Sequence, residues 1–266
     1  DVAYRAAGGR AKLHPMNRRT FLQTAALAAS GPAFTTINAR AQVAEGFTPL
    51  FDGRTLKGWR AVPRIYAPKT AEFDRMPSDQ LKAAVVKWHE ERPEMQARLR
   101  HTGRWEVVDG AIVGGQETPK LGGYLVSERK FADFELELEA RPDWPADTGI
   151  MLRAHELGTI GFQVLVDHRP KGGIGGVFGN SIGNFLAVPF AVEGDAKPDF
   201  RLANLREGTK EMNFPHPAMS HAATFADFAK GWRANGWNRF RIRCVGALPV
   251  ITTWINGVKI CELDTA

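Results

Sequence analysis

Hydrophobic and polar positions alternate with a period of two along much of the chain, which predicts β-strands with one buried face. In residues 131–141, phenylalanine, leucine and alanine occupy the even positions and three glutamates, Glu135, Glu137 and Glu139, occupy odd positions. In residues 237–245, apolar side chains again alternate, here with arginines. Both segments therefore predict strands of a sheet that is buried on one side.

Turn residues divide other apolar runs into hairpins. An Asp-Gly pair at 109–110 and an Asn-Gly pair at 256–257 each separate two strand-like runs. These pairs tolerate the positive φ of a two-residue hairpin turn. Shorter apolar runs predict further strands at residues 149–154, 161–167 and 175–178.

Two stretches interrupt the strand pattern. Residues 78–100 place apolar side chains at helical spacing, and Pro93 is expected to split this helix because proline disrupts a helix interior. Residues 190–234 are rich in polar residues and proline, with a short helix predicted at 222–230. The absence of βαβ alternation favours one all-β antiparallel sandwich with short helical insertions, and insertions at one rim are typical places for a site.

Composition adds limits on size and partners. The chain has 266 residues, of which 44% are hydrophobic and 24% are charged, enough for one sizeable core and unlike a disordered or disulfide-based protein. The net charge of +6 suggests an acidic partner, but residues 1–41 carry six basic side chains and one acidic side chain. The remaining chain is nearly neutral, so we expect no nucleic-acid partner.

The basic N-terminal region is similar to an export signal. The segment Asn17-Arg18-Arg19-Thr20-Phe21-Leu22-Gln23 resembles a twin-arginine motif, and a weakly hydrophobic stretch and an Ala-Arg-Ala cleavage site at 39–41 follow it. We therefore expect a periplasmic or otherwise exported protein, with residues 1–41 as upstream sequence plus signal peptide and 42–266 as one domain. Met16 is the expected initiator, so residues 1–15 are expected to take no part in folding.

No apolar run reaches the roughly 20 residues that a transmembrane helix needs, so no membrane span is expected. Cys244 and Cys261, the two cysteines, both fall in strand-like runs. An exported protein can form a disulfide, and the alternative is two buried thiols that pack as small apolar side chains.

Polar side chains are concentrated on two predicted strands. Arg153 and His155 end one strand, while Gln163, Asp167 and His168 lie in and after the next. A polar group inside an apolar strand must be hydrogen-bonded or bind something, because unpaired burial costs a few kcal/mol. The alternatives are a structural Arg153–Asp167 ion pair and a solvated His168.

The three glutamates offer a second candidate site. Glu135, Glu137 and Glu139 share one strand face, and a pair of carboxyl groups about 5 Å apart can act as acid and nucleophile in a retaining glycosidase. The alternative is a solvated outer face of the sheet. Glu139 is retained as a candidate ligand contact because it lies nearest the strand that begins at Gly149.

An ordered series of blocks resembles the 3-keto-disaccharide hydrolase family, also called 3-keto-glucoside 1,2-lyase/hydratase. The blocks are FTPLFDGRTLKGW at 47–59, WEVVDGAI at 105–112, YLVSERKFADFEL at 124–136, TGIMLR at 148–153, GFQVLVD at 161–167, and Trp237-Asn238 through Asn256-Gly257. The resemblance implies a concanavalin A-like jelly-roll sandwich, export, and cleavage of glycosides already oxidised to a ketone at C3.

This chain departs from the family pattern in two places. Gln163 stands where members usually have glutamate, which puts an acid/base or metal role of this position in doubt. Members usually continue beyond the Asn-Gly hairpin into two further strands, whereas this chain stops at Ala266, so a C-terminally truncated sandwich is expected.

The resemblance also implies a set of roles. Asp167 or His168 is the expected base at C2, and Arg153 or a divalent metal ion would stabilise the enolate. The acid at the leaving oxygen would be His155 or His168. Trp144 or Trp237 would stack on the sugar, with core packing as the alternative for Trp237. The competing hypotheses are a non-catalytic carbohydrate-binding module and a two-carboxylate glucanase that depends on Glu135 or Glu137.

Overall fold

A computed structural model of the chain describes residues 2–12, 46–118, 121–143, 147–166, 172–194, 205–208, 218–234 and 236–266, with the backbone alone described at 2–12. Antiparallel strands dominate it, with a few short helices, so the prediction of an all-β sandwich with helical insertions is confirmed. Within the described ranges no helix is both long enough and apolar enough to cross a membrane.

The elements in chain order are β1 (Val2–Lys12), β2 (Thr48–Pro49), β3 (Trp59–Pro63), α1 (Ala71–Asp74), α2 (Ser78–Glu90), α3 (Pro93–Arg100), β4 (Arg104–Val108), β5 (Ala111–Gly115), β6 (Gly123–Ser127), β7 (Phe134–Pro142), β8 (Gly149–Leu152), β9 (Gly161–Val166), β10 (Ile174–Asn180), β11 (Asn184–Ala187), β12 (Val192–Gly194), β13 (Leu205–Glu207), β14 (Met219–Ala222), α4 (Phe225–Gly231), β15 (Asn238–Val245), β16 (Val250–Ile255) and β17 (Val258–Asp264).

The larger sheet has the order β14-β17-β16-β15-β7-β1-β5-β4, with β2 also paired to β1. The predicted hairpins are present, β4 with β5 and β16 with β17, and their turns use the positive φ of Asp109 and Asn256. A smaller sheet has the order β11-β10-β9-β8, and two ribbons pair β3 with β6 and β12 with β13.

Strand β1 differs from the expectation for the N-terminus. Its backbone lies between β5 and β7 and is antiparallel to both, with Tyr4 opposite Ile112 on one side and Ala140 on the other. Residues 2–12 therefore take part in the sheet, contrary to the expectation that residues 1–15 play no role in folding. The physical reason is that β5 and β7 each present an edge of backbone donors and acceptors, which a strand between them satisfies.

The core lies between the two main sheets. The inward side chains of β9, Val164 and Val166, and those of β15, Phe240 and Ile242, belong to one cluster of fully buried residues. The strict alternation predicted for β15 is observed, with buried and exposed residues in turn along the strand. Four aromatic rings contributed by the second insertion close one end of this core: Phe190, Phe225, Phe228 and Trp232.

The first insertion forms its own small core beside the sandwich. Helices α2 and α3 are separated just before Pro93, as predicted. Leu81 and Val85 of α2 pack against Ile65 and Leu157, and the last of these belongs to the loop between β8 and β9. This packing fixes the helices against the part of the chain that follows β8.

Cys244 and Cys261 are both free and buried. They lie on β15 and β17, which flank β16 on opposite sides. Strands two positions apart are separated by roughly 9–10 Å, beyond the reach of a disulfide. Burial raises the pKa of the Cys244 thiol to about 11 and that of Cys261 to about 12, so both thiols stay protonated and act as core side chains.

Candidate functional site

The main cavity has a volume of about 1220 Å³ and surrounds β8, the edge strand of the smaller sheet. All four residues of β8 line this cavity, as do all five of β6. Ile150 and Leu152 pack toward the core between the sheets. Because side chains alternate along a strand, Gly149 and Met151 face the opposite side. The cavity therefore has an inner lobe between the sheets and an outer lobe on the far face of β8.

The two lobes differ in character. The inner lobe is apolar, and its walls include Phe131, Leu136 and Leu138, which are only partly buried there. The outer lobe carries Met151, Gln163 opposite it in register, and Tyr124, which Asn180 links to Met151, while His155 lines the same cavity from the loop after β8. Orientation of a sugar needs hydrogen-bonding groups, so the outer lobe is the candidate site.

Gln163 lies on β9 directly opposite Met151 of β8. Its side chain extends over Gly149, where a Cβ atom would lie 2.3 Å from Nε2 of Gln163. The amide makes no hydrogen bond within the described part of the chain, and it lines the cavity. The absence of a side chain at residue 149 therefore leaves room for an amide that can bind a ligand.

Tyr124 and Asn180 form a pair that the sequence analysis did not single out. Nδ2 of Asn180 donates to the Tyr124 hydroxyl at 3.1 Å and also lies 3.9 Å from the Met151 sulfur. Tyr124 belongs to the YLVS block quoted above, but Asn180 is 56 residues away at the end of β10. No local pattern could have indicated this contact.

His155 lies on the loop that follows β8 and lines the cavity as well. The backbone of residue 155 donates to the Ile160 carbonyl at 2.7 Å and accepts from Gly158 at 2.7 Å, and ring Nδ1 accepts from the Leu157 amide at 3.3 Å. These bonds hold the histidine in a tight turn. Gly158 in this turn contacts Tyr124, since a Cβ atom there would lie 3.0 Å from the tyrosine ring.

Arg153 has a different partner from the one expected. Its Nη2 donates to Oδ1 of Asp133 at 2.7 Å, its Nε donates to the Ala132 carbonyl at 2.8 Å, and its Nη1 donates to the Gly246 carbonyl at 2.5 Å. The left-handed backbone of Arg153, with φ of +47°, ends β8 at this point. Most of its donors are thus used to join turns, and the predicted partner Asp167 lies outside the described residues.

The glutamates of β7 face away from the cavity. Glu135 is paired with Arg241, and Glu137 accepts from Nη2 of Arg239 at 2.6 Å. Both carboxylates are buried under these arginines, which corrects the alternative of a solvated outer face. Glu139 belongs to the same face of β7, opposite Arg239 in register, and is not among the residues that line the cavity.

The tryptophan candidates also lie elsewhere. Trp237 precedes β15 and stacks with Arg141, whose guanidinium carbon is 5.1 Å from the ring centroid. It does not line the cavity described above. Trp144, Asp167 and His168 all lie outside the described residues. Of the predicted site residues, Arg153, His155 and Gln163 therefore line one cavity.

Charged side chains form the rim. Nη2 of Arg60 donates to the Glu156 carbonyl at 2.7 Å, Nζ of Lys82 lies 3.4 Å from the Glu156 carboxylate, and Arg64 lies 4.0 Å from Asp147. Lys82 comes from α2, so the first insertion does contribute to the rim of the site. Positive and negative groups are mixed, which suits a neutral polar ligand better than a polyanion.

Metal-binding groups are not gathered here. Across the part of the chain that the structure describes, no three His, Cys, Asp or Glu side chains lie close enough together to hold a metal ion.

Comparison with known proteins agrees with the family resemblance. A family model described as a 3-keto-alpha-glucoside-1,2-lyase-like domain matches residues 46–266. A curated 3-keto-disaccharide hydrolase from Bacteroides thetaiotaomicron is 28% identical over 119 residues, which cover 43% of this chain and 29% of that protein. This chain thus spans less than a third of that relative's length. Because the family model covers most of the chain, including the cavity walls, the protein belongs to the 3-keto-alpha-glucoside-1,2-lyase-like family.

Proposed function

We propose that this protein is an exported enzyme that cleaves glycosides carrying a ketone at C3 of the sugar. The observation that supports the proposal is the family match over residues 46–266, which includes the whole candidate site. The twin-arginine-like motif at 17–23 supports export to the periplasm. A neutral 3-keto-glucoside or 3-keto-disaccharide is the proposed substrate, in keeping with the mixed charge of the rim.

The proposed reaction uses the acidity that a ketone gives to the neighbouring C–H bond. A base removes the C2 proton, and the C–H electron pair forms an enolate with its charge on the C3 oxygen. The ketone then re-forms, a C1–C2 double bond develops, and the bond from C1 to the leaving oxygen breaks. That oxygen takes up a proton, and water subsequently adds across the double bond. The net change is hydrolysis of the glycoside, with no oxidant or reductant consumed.

This reaction needs a base near C2, a donor at the C3 oxygen and an acid at the leaving oxygen. Asp167 or His168 remains our prediction for the base. His155, which lines the cavity, is the proposed acid, with His168 as the alternative. The amide of Gln163 is proposed to bind sugar hydroxyls, since it cannot itself exchange a proton at neutral pH. Arg153 is assigned a structural role because its donors already join two turns.

One observation favours a second candidate function. An amide at position 163, where the family usually has a carboxylate, is compatible with a carbohydrate-binding module that performs no chemistry. A two-carboxylate glucanase is disfavoured, because Glu135 and Glu137 are held in ion pairs on the face of β7 away from the cavity.

The test is incubation of the full chain with a 3-keto-glucoside and with the same glucoside left unoxidised. Release of the aglycone from the 3-keto compound alone is the expected result. Binding without release would identify a carbohydrate-binding module, and cleavage of the unoxidised glucoside would identify a conventional glycosidase. The Asp167→Asn variant tests the base, and turnover equal to wild type would remove Asp167 from the mechanism.

A further inference from the structure

The Tyr124 hydroxyl has one hydrogen-bonding capacity that the described part of the protein does not use. It accepts a hydrogen bond from Nδ2 of Asn180 at 3.1 Å. No acceptor for its own hydrogen occurs in the described part of the chain, although the residue lines the outer lobe of the cavity. A phenol held in this way can donate its hydrogen to a ligand oxygen.

The position of the hydroxyl is fixed by its surroundings. Gly158 lies against the ring, and even a methyl group at residue 158 would approach three carbons of Tyr124 to 3.0 Å. Asn180, which donates to the hydroxyl, also contacts the sulfur of Met151. The backbone amide of Gly158 donates a hydrogen bond to the carbonyl of His155, the proposed acid. Because Gly158 also lies against Tyr124, the tyrosine is next to the turn that carries His155.

The reaction proposed above needs a donor at the C3 oxygen, and three of the cations near the cavity, Arg153, Arg60 and Lys82, are engaged elsewhere. Arg153 is bonded to Asp133 and to backbone carbonyls. On the rim, Arg60 donates to the Glu156 carbonyl, and Lys82 lies beside the Glu156 carboxylate. A neutral, preorganised donor in a partly enclosed site is the arrangement that stabilises a developing oxyanion.

We propose that Tyr124 donates a hydrogen bond to the C3 carbonyl oxygen of the substrate and stabilises the enolate, and that Asn180 is its positioning residue. The proposal rests on the 3-keto-glycoside function. Charge moves onto the C3 oxygen when the base takes the C2 proton, and the phenol hydrogen stays on Tyr124 throughout. The Asn180 amide strengthens the donor, since a bond to the phenol oxygen favours the build-up of negative charge there.

The experiment compares Tyr124→Phe with a matched control, Tyr66→Phe, in steady-state kinetics on a 3-keto-glucoside. Tyr66 donates to the Met95 sulfur at 3.6 Å and belongs to the packing around the helical insertion. Loss of one oxyanion donor typically costs 100-fold or more in kcat, so we expect Tyr124→Phe to lower kcat about 100-fold with little change in KM. Tyr66→Phe should leave both constants near those of wild type.

Asn180→Ala provides a second variant with an intact phenol. It should lower kcat about tenfold with little change in KM, and it should lower kcat no further in a chain that already carries Tyr124→Phe, because Asn180 then has no phenol to position. A merely structural role of Asn180 would lower kcat in both backgrounds. Circular dichroism melting curves identify any variant whose loss of activity comes from unfolding.

The outcomes distinguish the roles of Tyr124 and Asn180 from the 3-keto-glycoside function. Wild-type turnover together with undiminished kcat in Tyr124→Phe would overturn the role of Tyr124 and leave the 3-keto-glycoside function standing. Wild-type turnover with the same effect of Asn180→Ala on kcat in both backgrounds would overturn the positioning role. Absence of wild-type turnover on every 3-keto-glucoside tested would overturn the function itself, and the role of Tyr124 would fall with it.

Discussion

Arg153 and Asp133 form an ion pair in which Nη2 and Oδ1 are 2.7 Å apart, and the same carboxylate oxygen accepts the Gly246 amide at 3.0 Å. The guanidinium also binds the carbonyls of Ala132 and Gly246. One arginine thereby ties the start of β7, the end of β8 and the turn between β15 and β16 together. A side chain predicted to contact the substrate instead links strands of the two sheets through hydrogen bonds.

Replacement of Arg153 by methionine should therefore reduce stability. It removes several charge-assisted hydrogen bonds and leaves Asp133 with fewer partners, which should lower the free energy of unfolding by about 2 kcal/mol. Arg243→Met is the matched control, because Arg243 is exposed on β15 and makes no ion pair within the described residues. Urea denaturation of both variants measures the effect. Equal free energies of unfolding would contradict the role of Arg153 as a link between the sheets.

Replacement of Gln163, unlike that of Arg153, should affect substrate binding and not stability. Its amide has no hydrogen-bond partner in the described part of the protein, so Gln163→Ala should change the free energy of unfolding by less than about 0.5 kcal/mol. If the amide binds sugar hydroxyls, KM for a 3-keto-glucoside should rise about tenfold, equivalent to one lost hydrogen bond. Kinetics beside thermal melting check both statements. An unchanged KM would remove Gln163 from the binding site.

Gly158 and Gly53 provide a matched test of the contact with Tyr124. Their φ angles are +75° and +76°, so alanine introduces the same backbone strain at both positions. A new Cβ atom meets nothing within 4 Å at Gly53, whereas at Gly158 it lies 3.0 Å from the tyrosine ring. Gly53→Ala should cost about 1 kcal/mol, and Gly158→Ala should cost more and also lower kcat by displacing Tyr124. Equal costs with unchanged kcat would argue against the contact.

The buried His89 should make the free energy of unfolding depend on pH. Burial lowers its pKa from 6.5, Arg98 and Arg92 lower it further, and its Nε2 atom is buried without a hydrogen-bond partner in the described residues. As the pH is lowered, the ring of the unfolded chain binds a proton near pH 6.5, whereas the ring of the folded protein binds one only at a lower pH. Stability is thus retained above this pH and lost as the pH falls from 6.5 toward the lower folded pKa.

Replacement of His89 by phenylalanine should remove this part of the pH dependence. The free energy of unfolding of the variant should fall less than that of wild type as the pH is lowered from 6.5. Denaturation curves at several pH values measure the difference. Parallel pH dependences for the two proteins would show that His89 protonates equally in both states.

Strand β1 connects the fold to the proposed export. Removal of residues 1–41 with a signal peptide would take β1 out of the sheet and expose the facing edges of β5 and β7. A chain that begins at Gln42 should therefore have a lower melting temperature and a stronger tendency to associate than the full chain, because open strand edges pair with other chains. Melting curves and light scattering test this, and identical behaviour would show that β1 contributes nothing to stability.

The sequence was most informative where structure depends on local pattern. Period-two alternation in β7 and β15 defined strands that the structure contains, and the Asp-Gly and Asn-Gly pairs located two hairpin turns. Pro93 divided the helices at the predicted place. The family resemblance also came from short contiguous blocks, which residue order alone can carry.

The candidate site depended on contacts between distant residues. Tyr124 and Asn180 are 56 residues apart, and Arg153 reaches Gly246 across 93 residues. Neither distance nor direction follows from alternation, because a face of one strand does not specify which other strand lies against it. For the same reason Glu135 and Glu137 could be placed on the outward face but not recognised as buried beneath arginines of β15.

The sequence by itself thus determined the strand and helix pattern, the family and the chemical types of the candidate groups, since these follow from residue type and spacing. Only the tertiary structure decided which groups share a cavity and which are already paired. Hydrogen bonding among the described residues leaves Gln163 and the hydrogen of the Tyr124 hydroxyl without a partner while it occupies Arg153. That division depends on the packing of two sheets, which brings separate segments of the chain within bonding distance.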